Sequence, residues 1–535
     1  MAARPLVSLC MIVRDNSRTL GACLASIAPW VDEMIVVDTG STDDTREIAQ
    51  LAGAQVHEFP WCDDFSAARN ESLRLATGEW LFWMDSDDTI SEPCGRQLRQ
   101  LAAPSESAPI AYVMQVHCPG PPGTTDVTVV DHVKMFRNDP RLRFEGRIHE
   151  QILPAVRRIG GEVRWTDLFV SHSGSEHTPE AHQRKQVRDL RLLELELADR
   201  PEHPFVLFNL GMTYADMEEA EEAVRFLKQC LVASMPEESH VRKAYALLAG
   251  CLQQLKRHDE CRAILRRGLE LYDDDAELLF RLGVLEQQLA HHEAAIVAYE
   301  GALEDRGERR FSSRDRGIVG YKARHNLAGV YRDSHRPDLA ELQWRLALDE
   351  EPSFRSGWQG LVDVLLEQKK CVTLEVEIEN ACEAEVLPTI ELTLARGRLS
   401  AARGDARAAI AMLEAEIPHL NGEAVEAQRL KCQLLFEHDL EGATEALEEL
   451  SRMAPEDGAV WHNLATVHQR AGRPVEAIPH YERSLRLRPD AAHTWVQLGH
   501  AQRDAGDVAG ARRSWEQAGS LAPDDPLVLA ATGGA

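Results

Sequence analysis

The chain has 535 residues, of which 59 are basic and 87 acidic, which gives a formal net charge of −28. A single hydrophobic core does not extend over such a length, so we expect two or more domains. Because no excess of Lys and Arg is available to neutralise phosphates, the composition argues against a nucleic-acid-binding protein and against attachment to an anionic membrane surface.

Cysteine usage and hydropathy indicate a compartment. The eleven cysteines are scattered without a CxxC pair, which favours neither a zinc site nor a disulfide framework. The apolar run Leu6–Val13 is far shorter than the ~20 residues that cross a bilayer, and no small-residue cleavage site follows it. We therefore expect a cytoplasmic protein with reduced thiols and with neither a signal peptide nor a transmembrane segment.

Segments typical of strands and helices alternate in the first third of the chain. Strands are predicted at 6–13, 33–38, 55–58, 80–85, 111–116 and 128–136, and helices at 19–28, 43–51, 65–76 and from residue 91. Such alternation requires crossover connections and a mostly parallel sheet. The N-terminal part is therefore predicted to be a Rossmann-like α/β domain.

After about residue 178 the strand signals vanish and a 34-residue period appears. The pairs that repeat at this spacing are Trp461/Trp495, Leu464/Leu498, Gly472/Gly506, Ala477/Ala511, Tyr481/Trp515 and Pro489/Pro523. This spacing resembles the tetratricopeptide repeat, in which helical hairpins stack into a superhelix with a concave groove. We predict an α/β domain at 1–178, a linker helix at 179–200 and an all-α repeat superhelix of seven to nine units at 201–530. Val187, Leu190 and Leu193 of the linker helix are expected to pack between the two domains.

Two predicted strands end at acidic residues. Glu33–Asp38 and Trp80–Asp85 are apolar runs without polar alternation, as in strands that helices cover on both faces. Asp38 and Asp85 therefore stand at the carboxyl ends of strands in one sheet, where α/β sheets place their ligands. The alternative is that these acidic residues only cap the helices that follow.

The triplet Asp85-Ser86-Asp87 points to a divalent cation. Two carboxylates that leave one turn together suit a hard cation, which can also bind a diphosphate. Neither a GxGxxG sequence nor a GK[ST] phosphate loop follows the first strand. We therefore expect a metal to hold the diphosphate, with Asp38 accepting a hydrogen bond from a nucleobase or a ribose.

Residues 1 to about 175 resemble the family 2 glycosyltransferases of the GT-A fold. The matching segments are MIVRDN (11–16), VVDTGSTDDT (36–45), DDFSAARN (63–70) and Asp85-Ser86-Asp87. Fusion to tetratricopeptide repeats is similar to bacterial transferases that glycosylate peptides or proteins, including bacteriocin- and flagellin-modifying members. The resemblance implies a nucleotide-sugar donor, usually a UDP-sugar, with Mn²⁺ or Mg²⁺ and inversion at the anomeric carbon.

The resemblance also implies roles for individual residues. It assigns nucleotide-sugar contacts to Val13, Arg14, Asp38, Arg69, Asp85 and Ser86, and metal contacts to Asp85, Asp87 and His149. Relatives often have Lys/Arg-Asn-Glu after the first strand where this chain has Arg14-Asp15-Asn16. That departure weakens the expected contact from Arg14.

An inverting transfer needs a base beside the acceptor. Glu150, in the sequence FEGRIHEQI, is our candidate, and the His-Glu pair that it forms with His149 is similar to pairs in repeat-containing relatives. The alternative for Glu150 is an exposed residue on an amphipathic stretch. His172 is a second histidine that could contact the metal or the diphosphate.

The sequence therefore predicts a metal-dependent inverting glycosyltransferase with a polypeptide acceptor that the repeat groove recruits. The repeats could also join copies of the chain. One alternative is a transferase of polysaccharide assembly with a glycan or lipid-linked acceptor. Another is a repeat scaffold with an inactive transferase domain, which the four carboxylates Asp38, Asp85, Asp87 and Glu150 argue against.

Overall fold

The structure is a computed structural model that describes residues 5–103, 109–120, 126–173, 178–304, 311, 313–420 and 423–532. Its strands are β1 (Val7–Val13), β2 (Glu33–Asp38), β3 (Gln55–Glu58), β4 (Trp80–Trp83), β5 (Asp88–Thr89), β6 (Ala111–Pro119), β7 (Val127–Arg137), β8 (Val163–His172) and β9 (Ser313–Asp315). The helices before the repeats are α1 (Leu20–Ile27), α2 (Thr45–Leu51), α3 (Phe65–Leu75), α4 (Glu92–Leu101), α5 (Leu153–Arg158) and α6 (Pro179–Asp199).

The remaining helices form the repeats. In the first half they are α7 (Pro204–Asp216), α8 (Ala220–Ala233), α9 (Val241–Gln254), α10 (His258–Leu271), α11 (Ala276–Gln288), α12 (His292–Leu303), α13 (Tyr321–Asp333) and α14 (Pro337–Glu350). In the second half they are α15 (Arg355–Glu367), α16 (Cys371–Glu383), α17 (Thr389–Ala402), α18 (Ala406–Glu416), α19 (Ala424–His438), α20 (Leu440–Met453), α21 (Gly458–Arg470), α22 (Pro474–Leu487), α23 (Ala492–Asp504), α24 (Val508–Leu521) and α25 (Pro526–Thr532).

The strands form one sheet, whose order is β3-β2-β1-β4-β7-β6-β8-β5, with β9 also paired to β7. β3, β2, β1 and β4 are parallel to one another, whereas β7 is antiparallel to both β4 and β6. Helices α1 and α4 cover one face around Leu20, Leu24 and Leu98. Helices α3 and α5 cover the other around Leu73 and Val156. The predicted α/β domain followed by an all-α repeat superhelix is confirmed.

The chain divides into two compact units, Met1–Phe354 and Arg355–Ala535. Unit 1 holds the sheet and helices α1 to α14, and unit 2 holds helices α15 to α25. In each unit consecutive helices contact one another, as in α7 with α8 and α21 with α22. The domain boundaries at residues 178 and 200 stay a prediction.

The 34-residue period corresponds to repeated contacts in unit 2. Trp461 Nε1 donates to the Pro455 carbonyl at 2.8 Å, and Trp495 Nε1 donates to the Pro489 carbonyl at 3.0 Å. Gly472 and Gly506, which follow α21 and α23, both have left-handed backbones, with φ of 73° and 91°. Glycine adopts that conformation at the least cost, although the same position after α7, α9 and α11 holds Glu218, Lys256 and Ala290 with φ of 63°, 58° and 56°. The period therefore reflects both the packing and the turns of each hairpin.

Helix α6 connects the sheet to the repeats inside unit 1. Leu192 and Leu193 are fully buried in a cluster that also holds Ile148 and Leu207. The expectation for Val187 is wrong, because this side chain is 60% exposed. The apolar stripe of α6 begins later in the helix than the leucine pattern indicates.

Candidate active site

The carboxyl ends of β1, β2 and β4 lie side by side. Val13 is opposite Asp38 in the pairing of β1 with β2, and Cys10 is opposite Trp83 in the pairing of β1 with β4. The strand that was predicted to reach Asp85 ends at Trp83, so Asp85 belongs to the turn that follows. This turn contains the acidic triplet and leads into β5 at Asp88.

Arg69 joins the donor-side carboxylate to the candidate base. Its Nη2 donates to Asp85 Oδ1 at 3.0 Å and its Nε donates to Glu150 Oε1 at 2.6 Å. The guanidinium lies 4.4 Å from the ring centroid of Trp83 and 5.4 Å from that of Phe144. Arg69 is only 5% exposed, and its buried Nη1 has no hydrogen-bond partner among the described residues. Arg69 and Glu150 are therefore largely shielded from water, where an ion pair is strong and a lost partner is costly. The Asp85 side chain at the other end of Arg69 is 40% exposed.

A tight turn presents Glu150 to Arg69. Glu145 and Gln151 exchange backbone hydrogen bonds of 3.0 and 2.9 Å across this turn. Gly146 and His149 have left-handed backbones, with φ of 104° and 53°. A non-glycine residue is uncommon in that region, and such residues concentrate at functional sites. Glu150 has a side chain that is 11% exposed, so it is not the exposed surface residue of the alternative interpretation.

Asp88 is the centre of a second charged group. It is fully buried and accepts hydrogen bonds from Lys134 Nζ at 2.9 Å and from the Asp85 amide at 3.1 Å. Its other oxygen lies 2.9 Å from His172 Nδ1, and Asp87 Oδ1 lies 3.5 Å from the same nitrogen. Ligand atoms of Asp85, Asp88 and His172 lie within 4.8 Å of one another.

These contacts shift the pKa values in opposite directions. Burial alone would raise the pKa of Asp85, but the charges of Arg69 and Lys134 outweigh burial and hold that pKa below its usual value. Burial raises the pKa of Asp87, and the carboxylates of Asp85 and Asp88 add to the rise. The hydrogen bond to Asp88 raises the pKa of His172 against the effect of burial. The group therefore carries more negative charge than its buried cations neutralise.

The chemistry of this group fits a divalent cation. Asp85 Oδ2 accepts no hydrogen bond from any described residue, whereas both oxygens of Asp88 already bind protein donors. The elevated pKa of Asp87 shows that a nearby positive charge would be favourable. Carboxylate oxygens with an imidazole nitrogen suit a first-row ion such as Mn²⁺.

The predicted ligand set differs from the set that the fold assembles. His149 is not a member of the group formed by Asp85, Asp88 and His172, and the charge of Asp189 in α6 acts on it. Burial lowers the pKa of His149 against the effects of Asp189 and Glu150. His172, at the end of β8, contacts Asp87 and Asp88 instead. Asp85 and Asp87 stay the predicted carboxylate ligands.

Two other residues that are predicted to contact the nucleotide sugar, Val13 and Asp38, lie at the ends of β1 and β2. Asp38 is 2% exposed and accepts hydrogen bonds from the amides of Gly40 and Ser41 at 3.3 and 3.1 Å. The Val13 carbonyl accepts from the Thr39 amide at 3.0 Å. These bonds shape the loop after β2. A carboxylate can accept about four hydrogen bonds, so Asp38 can still accept one from a ligand.

Two further residues that are predicted to contact the nucleotide sugar differ in exposure. The Arg14 side chain is exposed, and its backbone amide donates to Asn16 Oδ1 at 3.0 Å. Ser86 is buried within the acidic turn at 7% exposure.

Lys134 and Asp88 were not predicted from the sequence. Lys134 is fully buried, with its Nζ 3.8 Å from the ring centroid of Trp83. A lysine inside the otherwise apolar run VKMF of β7 is the one signal that could have indicated it, because a buried lysine requires a charged partner.

Comparisons with known proteins match the α/β part and the helical part of the chain to different family models. Residues 8–140 match the glycosyl transferase family 2 model. Tetratricopeptide repeat models match residues 206–231, 243–275, 433–492 and 462–526. A TPR repeat-containing protein of Synechococcus elongatus is 30% identical over 357 residues, which cover 66% of this chain and 77% of that protein. The chain is a family 2 glycosyltransferase that carries tetratricopeptide repeats.

A second relative of this glycosyltransferase is the SPbeta prophage-derived glycosyltransferase SunS of Bacillus subtilis. It is 28% identical over 257 residues, which cover 47% of this chain and 59% of SunS. Among solved structures, MamA matches 33% of this chain and 96% of its own at 20% identity, with a TM-score of 0.27 that is too low to support an argument. None of the described helices combines the length and apolar character that a membrane crossing requires.

Proposed function

We propose that this glycosyltransferase transfers a sugar, with inversion, from a UDP-sugar to a polypeptide acceptor, and that the transfer depends on Mn²⁺ or Mg²⁺. The observation that carries the proposal is the bridge Asp85–Arg69–Glu150 around the buried Arg69, with bonds of 3.0 and 2.6 Å. It joins a carboxylate of the acidic turn to a carboxylate 65 positions later in the chain. Such a bridge fixes two groups that act on opposite sides of one reacting sugar.

The donor is assigned to the side of the site formed by β1, β2 and β4. Strands lie about 4.8 Å apart, so Asp38 and Asp85, which end β2 and follow β4, are separated by two strand spacings. Asp38 would accept from the nucleobase, and Val13, Arg14 and Ser86 would line the nucleotide. The unpartnered Nη1 of Arg69 is a buried donor that a ligand oxygen would satisfy.

Asp85, Asp87 and His172 would hold the metal ion. When bound, such an ion neutralises the charge that develops on the departing diphosphate. Asp88 and Lys134 form the buried ion pair behind these ligands, and Asp88 also fixes the orientation of His172. His149, whose carbonyl accepts a hydrogen bond from Gln151 Nε2 at 3.2 Å, is proposed to stabilise the turn that carries Glu150.

Glu150 is proposed as the base. Its Oε1 is held by Arg69, and its Oε2 accepts no hydrogen bond from the residues that the structure describes. The free oxygen would remove the proton of the acceptor as the acceptor atom attacks the anomeric carbon. The bond from that carbon to the diphosphate oxygen then breaks, and its electron pair leaves with the diphosphate.

The repeat region supports a polypeptide acceptor. In unit 2 a cavity of about 740 Å³ lies along α15, α17 and α19 and is lined partly by Trp358, Leu394 and Phe436. Four acidic residues also line it, Asp363, Glu391, Glu426 and Glu437, against two basic residues, Arg398 and Arg429. Apolar side chains with an acidic excess suit a segment that combines apolar and basic residues.

A thermal-shift screen tests the donor and the metal together. Wild-type protein, Asp87→Ala and the control Asp273→Ala, an exposed residue of the repeats, are melted with a panel of nucleotide sugars, in Mn²⁺ and in EDTA. We expect a UDP-sugar with Mn²⁺ to raise the Tm of wild type and of the control, because ligands that bind only the folded state stabilise it. Asp87→Ala should lose the Mn²⁺-dependent part of the rise. An equal rise in EDTA would contradict the metal assignment.

A further inference from the structure

One connection between repeat helices contributes a strand to the catalytic sheet. The chain from Glu304 to Gly320, between α12 and α13, contains β9. β9 is antiparallel to β7 and pairs Ser313 with Val130, Arg314 with Val129, and Asp315 with Thr128. A hairpin of a repeat needs no such strand, because its helices are joined by short turns.

Side-chain contacts fasten this strand to the sheet. Phe311 lies against Trp165 of β8, with ring centroids 4.8 Å apart. Lys322, in the first turn of α13, pairs with Asp126 at 2.7 Å and also with Asp315. Phe311 and Lys322 therefore fasten the described part of the connection on both sides of β9, which belongs to the catalytic sheet although it lies between repeat helices in sequence.

β9 lies on the edge of β7 that also pairs with β4. β4 pairs with residues 135–137 of β7, and β9 pairs with residues 128–130 along the same edge. The acidic turn occupies the interval between them, since Trp83 Nε1 donates to the Val133 carbonyl at 2.8 Å and Lys134 binds Asp88. Val130 and Lys134 are about 13 Å apart along a strand. β9 thus lies across the acidic turn from the strands assigned to the donor.

Arg314 lies on the face of the sheet that holds Glu150. Paired residues of adjacent strands share a face, and side chains alternate along each strand. Arg314 therefore shares its face with Val129 and Val133. Val133 packs in one cluster with Phe144, and the Phe144 ring lies 5.4 Å from the Arg69 guanidinium that binds Glu150.

Arg314 and Arg316 add positive charge at β9, on a face of the sheet that Asp131 of β7 shares with Val129. Arg314 and Arg316 are exposed, and neither forms an ion pair with a residue that the structure describes. His117 of β6 pairs with Val129 of β7. Burial and the charge of Arg316 both lower the pKa of His117. The carboxylates of Asp126 and Asp315 are already bound to Lys322. In a chain of net charge −28, an unpaired pair of arginines beside the site favours an anionic group.

We propose that β9 forms one wall of the acceptor subsite and that Arg314 binds a carboxylate of the polypeptide acceptor close to the residue that receives the sugar. A guanidinium recognises a carboxylate through two parallel hydrogen bonds, which gives both direction and specificity. This inference rests on the proposed function. It makes the repeats a direct contributor to acceptor choice.

The test uses full-length protein and two synthetic peptide pools. Each pool has Ser, Thr, Cys or Asn at its centre, flanked by Glu in one pool and by Lys in the other. Wild type, Arg314→Ala, Arg314→Glu and the control Arg266→Glu, an exposed arginine of α10, are incubated with the UDP-sugar that binds and with Mn²⁺. Modified peptides are measured by mass spectrometry, and nucleotide release without peptide is measured in parallel.

We expect wild type and the control to prefer the Glu pool. Arg314→Ala should lower modification of that pool at least about tenfold, because both hydrogen bonds of the guanidinium to the carboxylate are lost, and Arg314→Glu should shift the preference to the Lys pool. Nucleotide release without peptide should stay within twofold, because Arg314 lies across the turn from the donor.

Three results would overturn the inference while leaving the proposed function intact. They are a wild-type preference for Lys, equal or absent modification of both pools by a protein that releases nucleotide, and a change in nucleotide release alone in Arg314→Ala. A wild-type protein that releases nucleotide from no donor would instead contradict the proposed function, and this inference with it.

Discussion

Glu150 Oε1 accepts a hydrogen bond of 2.6 Å from Arg69 Nε, although the two residues are 81 positions apart in the sequence. The contact orients one oxygen of the carboxylate and leaves the other for a ligand. Because Arg69 also binds Asp85 at 3.0 Å, a change at either carboxylate alters the charge balance at the same guanidinium.

Glu150→Gln separates chemistry from donor binding. The amide keeps the size of the side chain and a hydrogen bond to Arg69 but cannot remove a proton. We expect turnover to fall roughly 10²–10⁴-fold while the donor Kd stays close to that of wild type. Turnover by nucleotide release and Kd by calorimetry are compared with Glu92→Gln, an exposed residue of α4. Near-normal turnover in Glu150→Gln would move the role of base to another residue.

Lys134→Met should destabilise unit 1. It leaves the fully buried Asp88 without its cation, and an uncompensated buried charge costs about 3–5 kcal/mol of unfolding free energy. The double variant Lys134→Met/Asp88→Asn removes both charges and should recover part of that loss. Urea unfolding measures both, with the exposed Lys185→Met as control. Additive losses in the double variant would mean that the two side chains do not stabilise one another.

His240 should make the stability of unit 1 depend on pH. Its ring lies 5.5 Å from that of Phe205 and 5.4 Å from that of Phe208, and burial lowers its pKa from 6.5 to about 4. The unfolded chain therefore binds the proton first as the pH falls. The contribution of neutral His240 is complete above about pH 6.5 and is lost between pH 6.5 and 4.

The size of this effect is measurable. Between pH 7 and pH 5 the unfolding free energy should fall by about 2 kcal/mol more in wild type than in His240→Gln. The comparison cancels the titration of the other histidines. Equal pH dependence in the two proteins would show that folding does not lower the pKa of His240.

A chain that ends at Phe354 should separate donor use from acceptor recruitment. It keeps the whole of unit 1, including the acidic turn, Glu150 and β9, and it lacks the cavity of unit 2. We expect donor binding and slow hydrolysis of the donor to persist, while transfer to a polypeptide falls sharply because the acceptor's local concentration drops. Full transfer by the shortened chain would contradict the role assigned to that cavity. Glu437→Lys in the full-length chain is a smaller change for comparison with the truncation. It reverses the charge of one exposed residue that lines the cavity.

The repeats and the donor-side strands were predictable because their signals are local. The strands Glu33–Asp38 and Gln55–Glu58 lie where the sequence predicts them. The glycines at 472 and 506 mark hairpin turns through their own backbone requirement. The turn that holds Asp85 and Asp87 is visible for the same reason, since both residues follow one apolar run, and their role as metal ligands stays a prediction.

The partners of these residues depend on strand order and on packing. Asp88 meets Lys134 across 46 positions because β7 runs antiparallel beside β4, a direction that strand-helix alternation does not indicate. His172, rather than His149, meets the acidic turn because β8 pairs with β5 at Asp88. The sequence by itself determined the fold class, the repeats and the acidic turn. Only the tertiary structure decided which cation and which histidine meet that turn, and that a strand between repeat helices joins the sheet, because those contacts join segments whose separation leaves no local signal.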